Sequence, residues 1–146
     1  VLVTMWFSLQ GGEEMKETEI VELFRQKHFR ATPQRIAVYK YLAEHPTHPD
    51  ADEIYKVLIK ESPSFSKTTV YNALQSLEEC GLIIKIQIDD HRVRYDADTG
   101  LHGHFICDRC KKIFDFKVDG ITTHGLDGFE VQKRDVYYSG ICPECK

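Results

Sequence analysis

No apolar run in these 146 residues approaches the length of a membrane span, so no membrane partner is expected. Positive charge is not in excess either. The chain has 19 Lys and Arg against 23 Asp and Glu, a formal net charge of −4, and so carries no global basic field to attract a polyanion. That absence weighs only lightly against DNA, because a basic stripe on one face suffices. The opening stretch VLVTMWFSLQ has no basic leading region and no A-x-A-like cleavage site, so a secretory signal is not expected in it. Apart from a pair of CxxC motifs there is no internal repeat, and there is no low-complexity tract. What is present is ordinary for a soluble globular protein: 42% apolar and 29% charged residues, long enough for one domain or two small ones. A cytoplasmic chain is the expectation. In that compartment five cysteines point to metal thiolates rather than disulfides.

Residues 1–14 resemble neither a helix start nor the rest of the chain, and are expected to be an extension or a disordered arm. From Met15 the pattern turns helical. In 16–28, Ile20, Leu23, Phe24 and Lys27 share a face. In 32–45, Thr32 is a good N-cap with Pro33 in the first turn, and Ile36, Tyr39, Leu42 and Ala43 form the stripe. Pro46 and Pro49 end that helix. Asp50 then caps a third, with Glu53 completing a capping box and Ile54, Val57 and Leu58 inward. After SPSF (62–65), Ser66 caps a fourth helix that Gly81 closes, with Val70, Ala73, Leu74 and Leu77 buried. Its other face carries Thr68, Tyr71, Asn72 and Gln75. Hydroxyls, an amide and a phenol on one arc suit hydrogen bonds to base edges and phosphates better than mere solvation.

The period then changes from helical to alternating. In 82–88, Leu82, Ile84, Ile86 and Ile88 face one way; DDHR (89–92) turns the chain, and 93–97 returns as a second strand. Helices followed by a hairpin is the order of a winged helix, expected over 15–97, with a helical bundle bearing a surface hairpin as the plainer alternative. Lys85, Arg92 and Arg94 place positive charge on the wing, and Lys67 and Arg35 join the recognition helix as candidate DNA contacts. A linker, 98–101, leads to 102–146, where strands are expected at 102–107, 113–118, 129–133 and 135–140, with loop or a broken short helix over 119–128. The fold class is therefore α+β: an N-terminal winged helix-turn-helix domain and a small C-terminal sheet domain.

The nine residues HGHFICDRC (102–110) hold two histidines and two cysteines. On a strand, His102 and His104 share a side while Cys107 faces the other, so one ion cannot easily collect all of them. Cys107–Cys110 and Cys142–Cys145 form two CxxC knuckles, which together make a closed tetrahedral Zn(II) site of structural type. Two disulfides are the poorer alternative in a cytoplasmic chain. The histidines are left for another ion. Asp96 at the end of the wing strand, Asp115 on the strand after the first knuckle and His48 before the third helix are its further candidates. Such nitrogen and carboxylate donors suit Fe(II), Mn(II), Co(II) or Zn(II). Because His48 and Asp96 belong to the first part of the chain and the others to the second, an ion using all five would lock the two together, as a switch does. Cys80 is left over, and reads as a helix residue buried beneath Gly81.

From Phe29 to Lys146 the chain resembles the Fur family of metal-responsive repressors. The resemblance rests on TPQR (32–35), HPDADEIY (48–55), TTVYNAL (68–74), RYD (94–96), HGHFICDRC (102–110), FDF (114–116) and CPEC (142–145), in that order. It implies a homodimer with N-terminal winged helices and C-terminal α/β dimerisation domains, which binds palindromic double-stranded operators and represses genes when loaded with metal. Within the family the chain looks most like the PerR-type peroxide-sensor subgroup, whose regulatory site is matched at His48, Asp96, His102, His104 and Asp115. An additional metal site of many members is not matched, since Leu101, Gly103, Thr122 and Arg134 stand at its positions. The resemblance implies Zn(II) in the sulfur site and Fe(II) or Mn(II) in the regulatory one, where Zn(II) can substitute. Fe(II) would react with peroxide and lead to oxidation of His48 or His102, with loss of metal and release of DNA; Mn(II) would support DNA binding without that reaction. The 119–128 stretch is shorter than the helix usually found there, which implies a trimmed dimerisation domain.

A repressor that senses Fe(II) or Mn(II) without peroxide is the alternative within the family. Outside it stand an enzyme, since two histidines and a carboxylate also hold iron in non-haem oxygenases, and a zinc-ribbon module that binds protein. The first lacks any substrate-pocket signature, so no enzyme is expected. The second leaves His48 and Asp96 without a role.

Overall fold

The computed structural model describes residues 14–87 and 92–146. Three expectations therefore lie outside the described residues: the extension, but for Glu14, the inward-facing Ile88, and the wing turn at 89–92, but for Arg92. The chain divides after Thr99 into two compact units.

The first unit holds α1 (Glu17–Gln26), α2 (Pro33–Glu44), α3 (Ala51–Glu61), α4 (Lys67–Glu79), β1 (Ile84–Gln87) and β2 (Val93–Asp96). Each helix starts where a side chain can take an unpaired backbone N–H. The Thr32 hydroxyl accepts from the Arg35 N–H at 3.3 Å, and the Ser66 hydroxyl from the Thr69 N–H at 3.1 Å. Asp50 and Glu53 complete the capping box, each accepting the other's N–H at 2.8 Å. Gly81 follows α4 with φ +75, a left-handed conformation that closes a helix at little cost only for glycine.

The apolar stripes meet in one core built from Ile20, Phe24, Tyr39, Leu42, Ile54 and Leu74, with Val70, Ala73 and Leu77 of α4 beside them. The Phe24 and Tyr39 rings meet edge to face, 5.5 Å between centroids. Three inward assignments shift. Lys27 is the exposed C-cap of α1, because that helix ends at Gln26. Val38 is fully buried on α2, while Ile36 and Ala43 are half-buried. Leu82 and Ile83 are both buried, because the alternation of β1 begins only at Ile84; the extended segment just before it packs on two sides. β1 and β2 pair antiparallel, Ile84 opposite Asp96 and Gln87 opposite Val93. The helices and hairpin make a winged helix-turn-helix.

The second unit is a three-stranded sheet, β4-β3-β5, of β3 (His102–Cys107), β4 (Ile113–Lys117) and β5 (Val136–Gly140), closed by a 3-10 turn at Pro143–Cys145. β4 runs antiparallel to β3 and β5 parallel to it. No strand forms at 129–133. Both edges of β3 are already taken by β4 and β5, and Phe129 and Val131 stay 69% and 51% exposed. The whole of 118–135 is irregular. Gly103 sits beneath the Phe116 ring of β4, where a Cβ would lie 2.1 Å from a ring carbon; the strand therefore needs glycine between its two histidines.

Candidate metal centres and nucleic-acid face

In the second unit the two knuckles come together. Cys107 ends β3, Cys110 lies in the turn toward β4, and Cys142 caps and Cys145 ends the 3-10 turn after β5. The four sulfurs all lie within 4.8 Å of one another, with Cys110 and Cys142 at 3.8 Å. A zinc tetrahedron with bonds of about 2.3 Å has sulfur–sulfur edges of about 3.8 Å, so the cage has the right size. Backbone N–H groups of Cys110 and Cys142 point at the Cys107 sulfur, at 3.5 and 3.4 Å, and hold that thiol down to about 6. Cys145 is pushed up to about 12, chiefly by its hydrogen bond to Cys142. Four crowded sulfurs share protons in this way until a cation replaces them. Outside the cage, Lys112 pairs with Glu144 at 3.0 Å, and Arg109 donates to the Cys145 carbonyl at 2.6 Å. These ties were missed from sequence alone, although Lys112 and Glu144 each stand two residues past a knuckle cysteine.

The opposite side of β3 carries the histidines. The Nε2 atoms of His102 and His104 are 3.0 Å apart, and lie 3.7 and 3.3 Å from Asp115 Oδ1. The register that pairs His104 with Asp115 across β3 and β4 places the carboxylate there. His102 Nδ1 is 2.7 Å from the Gly100 carbonyl oxygen. A carbonyl only accepts, so Nδ1 carries the hydrogen and the Nε2 lone pair faces the cluster. Tyr137 of β5, the cross-strand neighbour of His104, stacks on its ring at 5.9 Å.

The first unit carries two further candidate ligands. His48 and Asp96 are both buried, with His48 Nε2 3.4 Å from Asp96 Oδ2. The other carboxylate oxygen, Oδ1, accepts the Asp98 N–H at 2.8 Å, which fixes the orientation of the group. Within each unit, three of the four donor separations, 3.0, 3.3 and 3.4 Å, match neighbouring positions around one ion with bonds of about 2.1 Å, whose edges are about 3.0–3.4 Å; the His102–Asp115 separation of 3.7 Å is wider.

On α4, Thr68, Tyr71, Asn72 and Gln75 are all exposed, Tyr71 by 50%. Gln75 donates to Glu79 at 2.9 Å. Tyr71, Gln75, Glu78, Glu79, Lys85 and Arg92 line a cleft of about 570 Å³ between α4 and the hairpin. The two glutamates had not been placed on this face from sequence. Four of the five expected cations are engaged within the unit. Lys67 pairs with Asp52 at 3.3 Å, and the Arg35 guanidinium lies 4.4 Å over the Phe29 ring while donating to the Arg30 carbonyl. Arg92 bonds Asp50 at 2.7 Å and Glu53 at 3.1 Å; Arg94 donates to the His48 carbonyl at 3.2 Å. Burial alone would raise the Asp50 carboxyl, but the Glu53 N–H and the Arg92 guanidinium outweigh it and hold it below its ordinary value. Cys80 is the half-buried C-cap of α4, its thiol donating to the Leu77 carbonyl and pushed up by burial. Among the described residues no helix is long and apolar enough to cross a membrane.

Known proteins similar to this chain fall in one family. The family model described as the ferric uptake regulator family matches residues 26–145. The peroxide-responsive repressor PerR of Staphylococcus aureus is 36% identical over 148 residues, covering 97% of this chain and 99% of the relative. The solved structure of PerR from Streptococcus pyogenes, reported for peroxide sensing and gene regulation, is 33% identical, with a TM-score of 0.51 over 94% of this chain and 98% of that one. The ferric uptake regulator of Helicobacter pylori, at 21% identity, shares the fold with a TM-score of 0.68 over 90% of this chain and 95% of its own. The family match spans most of the chain and contains both cysteine knuckles and all five nitrogen and oxygen candidates. The chain belongs to the ferric uptake regulator family.

Proposed function

We propose that this regulator is a cytoplasmic, homodimeric repressor that binds double-stranded operator DNA when a divalent ion occupies a nitrogen–oxygen site, and releases it after peroxide oxidises that site. Zn(II) would be held by Cys107, Cys110, Cys142 and Cys145, and Fe(II) or Mn(II) by His48, Asp96, His102, His104 and Asp115, with Zn(II) able to substitute. The observation that carries the reading is the division of donors: two buried ones in the first unit and three in the second, each set directed at one point. Neither set fills the coordination sphere of Fe(II) or Mn(II). An ion that uses both would favour one arrangement of the units over others, and so bias DNA binding.

Bound Fe(II) would activate peroxide by passing it an electron; overall, one peroxide oxygen would be inserted into a ring C–H of a ligand histidine, which is the group oxidised, and the other would leave as water. The chain's part is to offer the imidazoles of His48 and His102, whose ring carbons adjoin the ligating nitrogens. An imidazole carrying an added oxygen is a poorer ligand, so oxidation frees the units from their DNA-binding arrangement. The relative from Staphylococcus aureus, named as peroxide-responsive, supports this over plain metal sensing. Exposed Leu126, Phe129, Val131 and Tyr138 in the second unit supply apolar surface for a second copy.

The exposed arc of α4 supplies the reading head. Tyr71→Ala and Asn72→Ala should each weaken operator binding by about 1–3 kcal/mol, with zinc content and melting unchanged, as measured by anisotropy with labelled operator and by calorimetry. The sensing step is tested by gel shift of the Mn(II)- and Fe(II)-loaded protein before and after peroxide, with mass spectrometry of the ligand peptides. Release only from the Fe(II) form, with one oxygen added to His48 or His102, is expected. Release from neither form leaves a metal sensor and overturns peroxide sensing.

A further inference from the structure

The wing strand β2 runs alongside the loop that enters α3, and the two are joined at successive residues. Arg92 Nε donates to Asp50 at 2.7 Å, Arg94 Nη1 to the His48 carbonyl at 3.2 Å, and the Tyr95 N–H to the Pro49 carbonyl at 3.0 Å. Arg94 and Asp96 share a parity on β2 and so leave the same side of the strand, and Arg92 lies just before it. In chain order, the three meet the α3 cap, the His48 backbone and the His48 ring. His48 has φ +55, a left-handed conformation uncommon for a residue with a side chain. Surrounding contacts must hold such a residue in place. The Arg94 bond acts on the carbonyl of that same residue.

We propose that Arg94 is a positioning residue for the regulatory ion rather than a phosphate contact: it holds the His48 backbone so that the ring meets Asp96. This rests on the reading of His48 and Asp96 as ligands given above. Because Arg94, Asp96 and the wing belong to one strand, the same bond ties the ion's affinity to the state of the wing. By linkage, operator DNA and the ion then strengthen each other's binding.

The test uses the full zinc-loaded chain and its Arg94→Ala and Arg94→Lys variants. Mn(II) affinity is read from the electron paramagnetic resonance signal of free Mn(II). Operator affinity at saturating Mn(II) is read across a salt series, and melting is recorded without Mn(II). Loss of an outer partner of a ligand weakens metal binding roughly 10–100-fold, which is the expectation for Arg94→Ala; Arg94→Lys, which keeps a donor, should fall between it and wild type. The salt dependence should keep the wild-type slope, whereas loss of a phosphate contact makes it shallower by about one. Wild-type Mn(II) affinity in Arg94→Ala, or a slope shallower by about one, overturns the proposal while leaving the proposed function intact. A lower melting temperature with unaltered Mn(II) affinity overturns it too, since that is a merely structural role. If Arg94→Ala fails to fold, Arg94→Lys decides by the same readings. A wild-type chain that binds no Mn(II) overturns both readings.

Discussion

Cys142→Ser should strip the protein of zinc and melt its second unit. Far-ultraviolet circular dichroism would lose the sheet signal, and elemental analysis would show zinc below one per chain. The reason lies in how little else holds this unit. Its buried apolar residues are Ile106, Cys107 and Cys142, two of them members of the cage. A core of that size cannot offset the conformational entropy of ordering the segment. Structural zinc contributes about 10–16 kcal/mol in small sulfur sites, which makes up the difference. The cage also ties Cys107 at the end of β3 to Cys142 and Cys145 beyond β5, adding to the parallel pairing of those two strands. A Cys142→Ser protein that kept its zinc and its melting transition would show that the sheet holds itself.

His102→Ala should do the reverse: the fold and the zinc survive, and metal-dependent DNA binding is lost. His102 lies on the side of β3 away from Cys107, and its partners are the Gly100 carbonyl, His104 and Asp115. None of these belongs to the cage. If the five proposed ligands hold one ion, removing one of them weakens the ion's hold and with it the preference for the DNA-binding arrangement. Couplings between distinct sites are typically 5–150-fold in affinity, and loss near the upper end of that range is expected because the ion is the whole source of the bias. Operator anisotropy in Mn(II) buffer measures it. Near wild-type Mn(II)-dependent binding by His102→Ala would defeat the switch.

Much of the fold was legible because local chemistry and tertiary packing agree in this chain. Thr32, Asp50, Ser66 and Gly81 mark helix ends through bonds made within a few residues, and such bonds leave a clear trace in sequence. The sorting of His102 and His104 from Cys107 follows from the two-residue period of a strand alone. What stayed hidden depends on partners distant in sequence. The 129–133 stretch alternates like a strand, but whether β3 has a free edge is decided by β4 and β5. Arg92 and Arg94 look like free cations on a wing; their engagement with Asp50 and His48 spans more than forty residues and has no local signal. Gly103 is legible only once Phe116 is known to lie over it.

In the proposed function, sulfur builds the protein while nitrogen and oxygen donors couple an ion to DNA binding. The most direct measurement is operator binding by the zinc-loaded chain as Mn(II) is added, with zinc content followed in the same samples. Binding should rise with the regulatory site's occupancy, saturate near one Mn(II) per chain, and leave zinc constant at one per chain. Operator binding that is already complete without Mn(II), or that appears only as Mn(II) displaces the zinc, would contradict it.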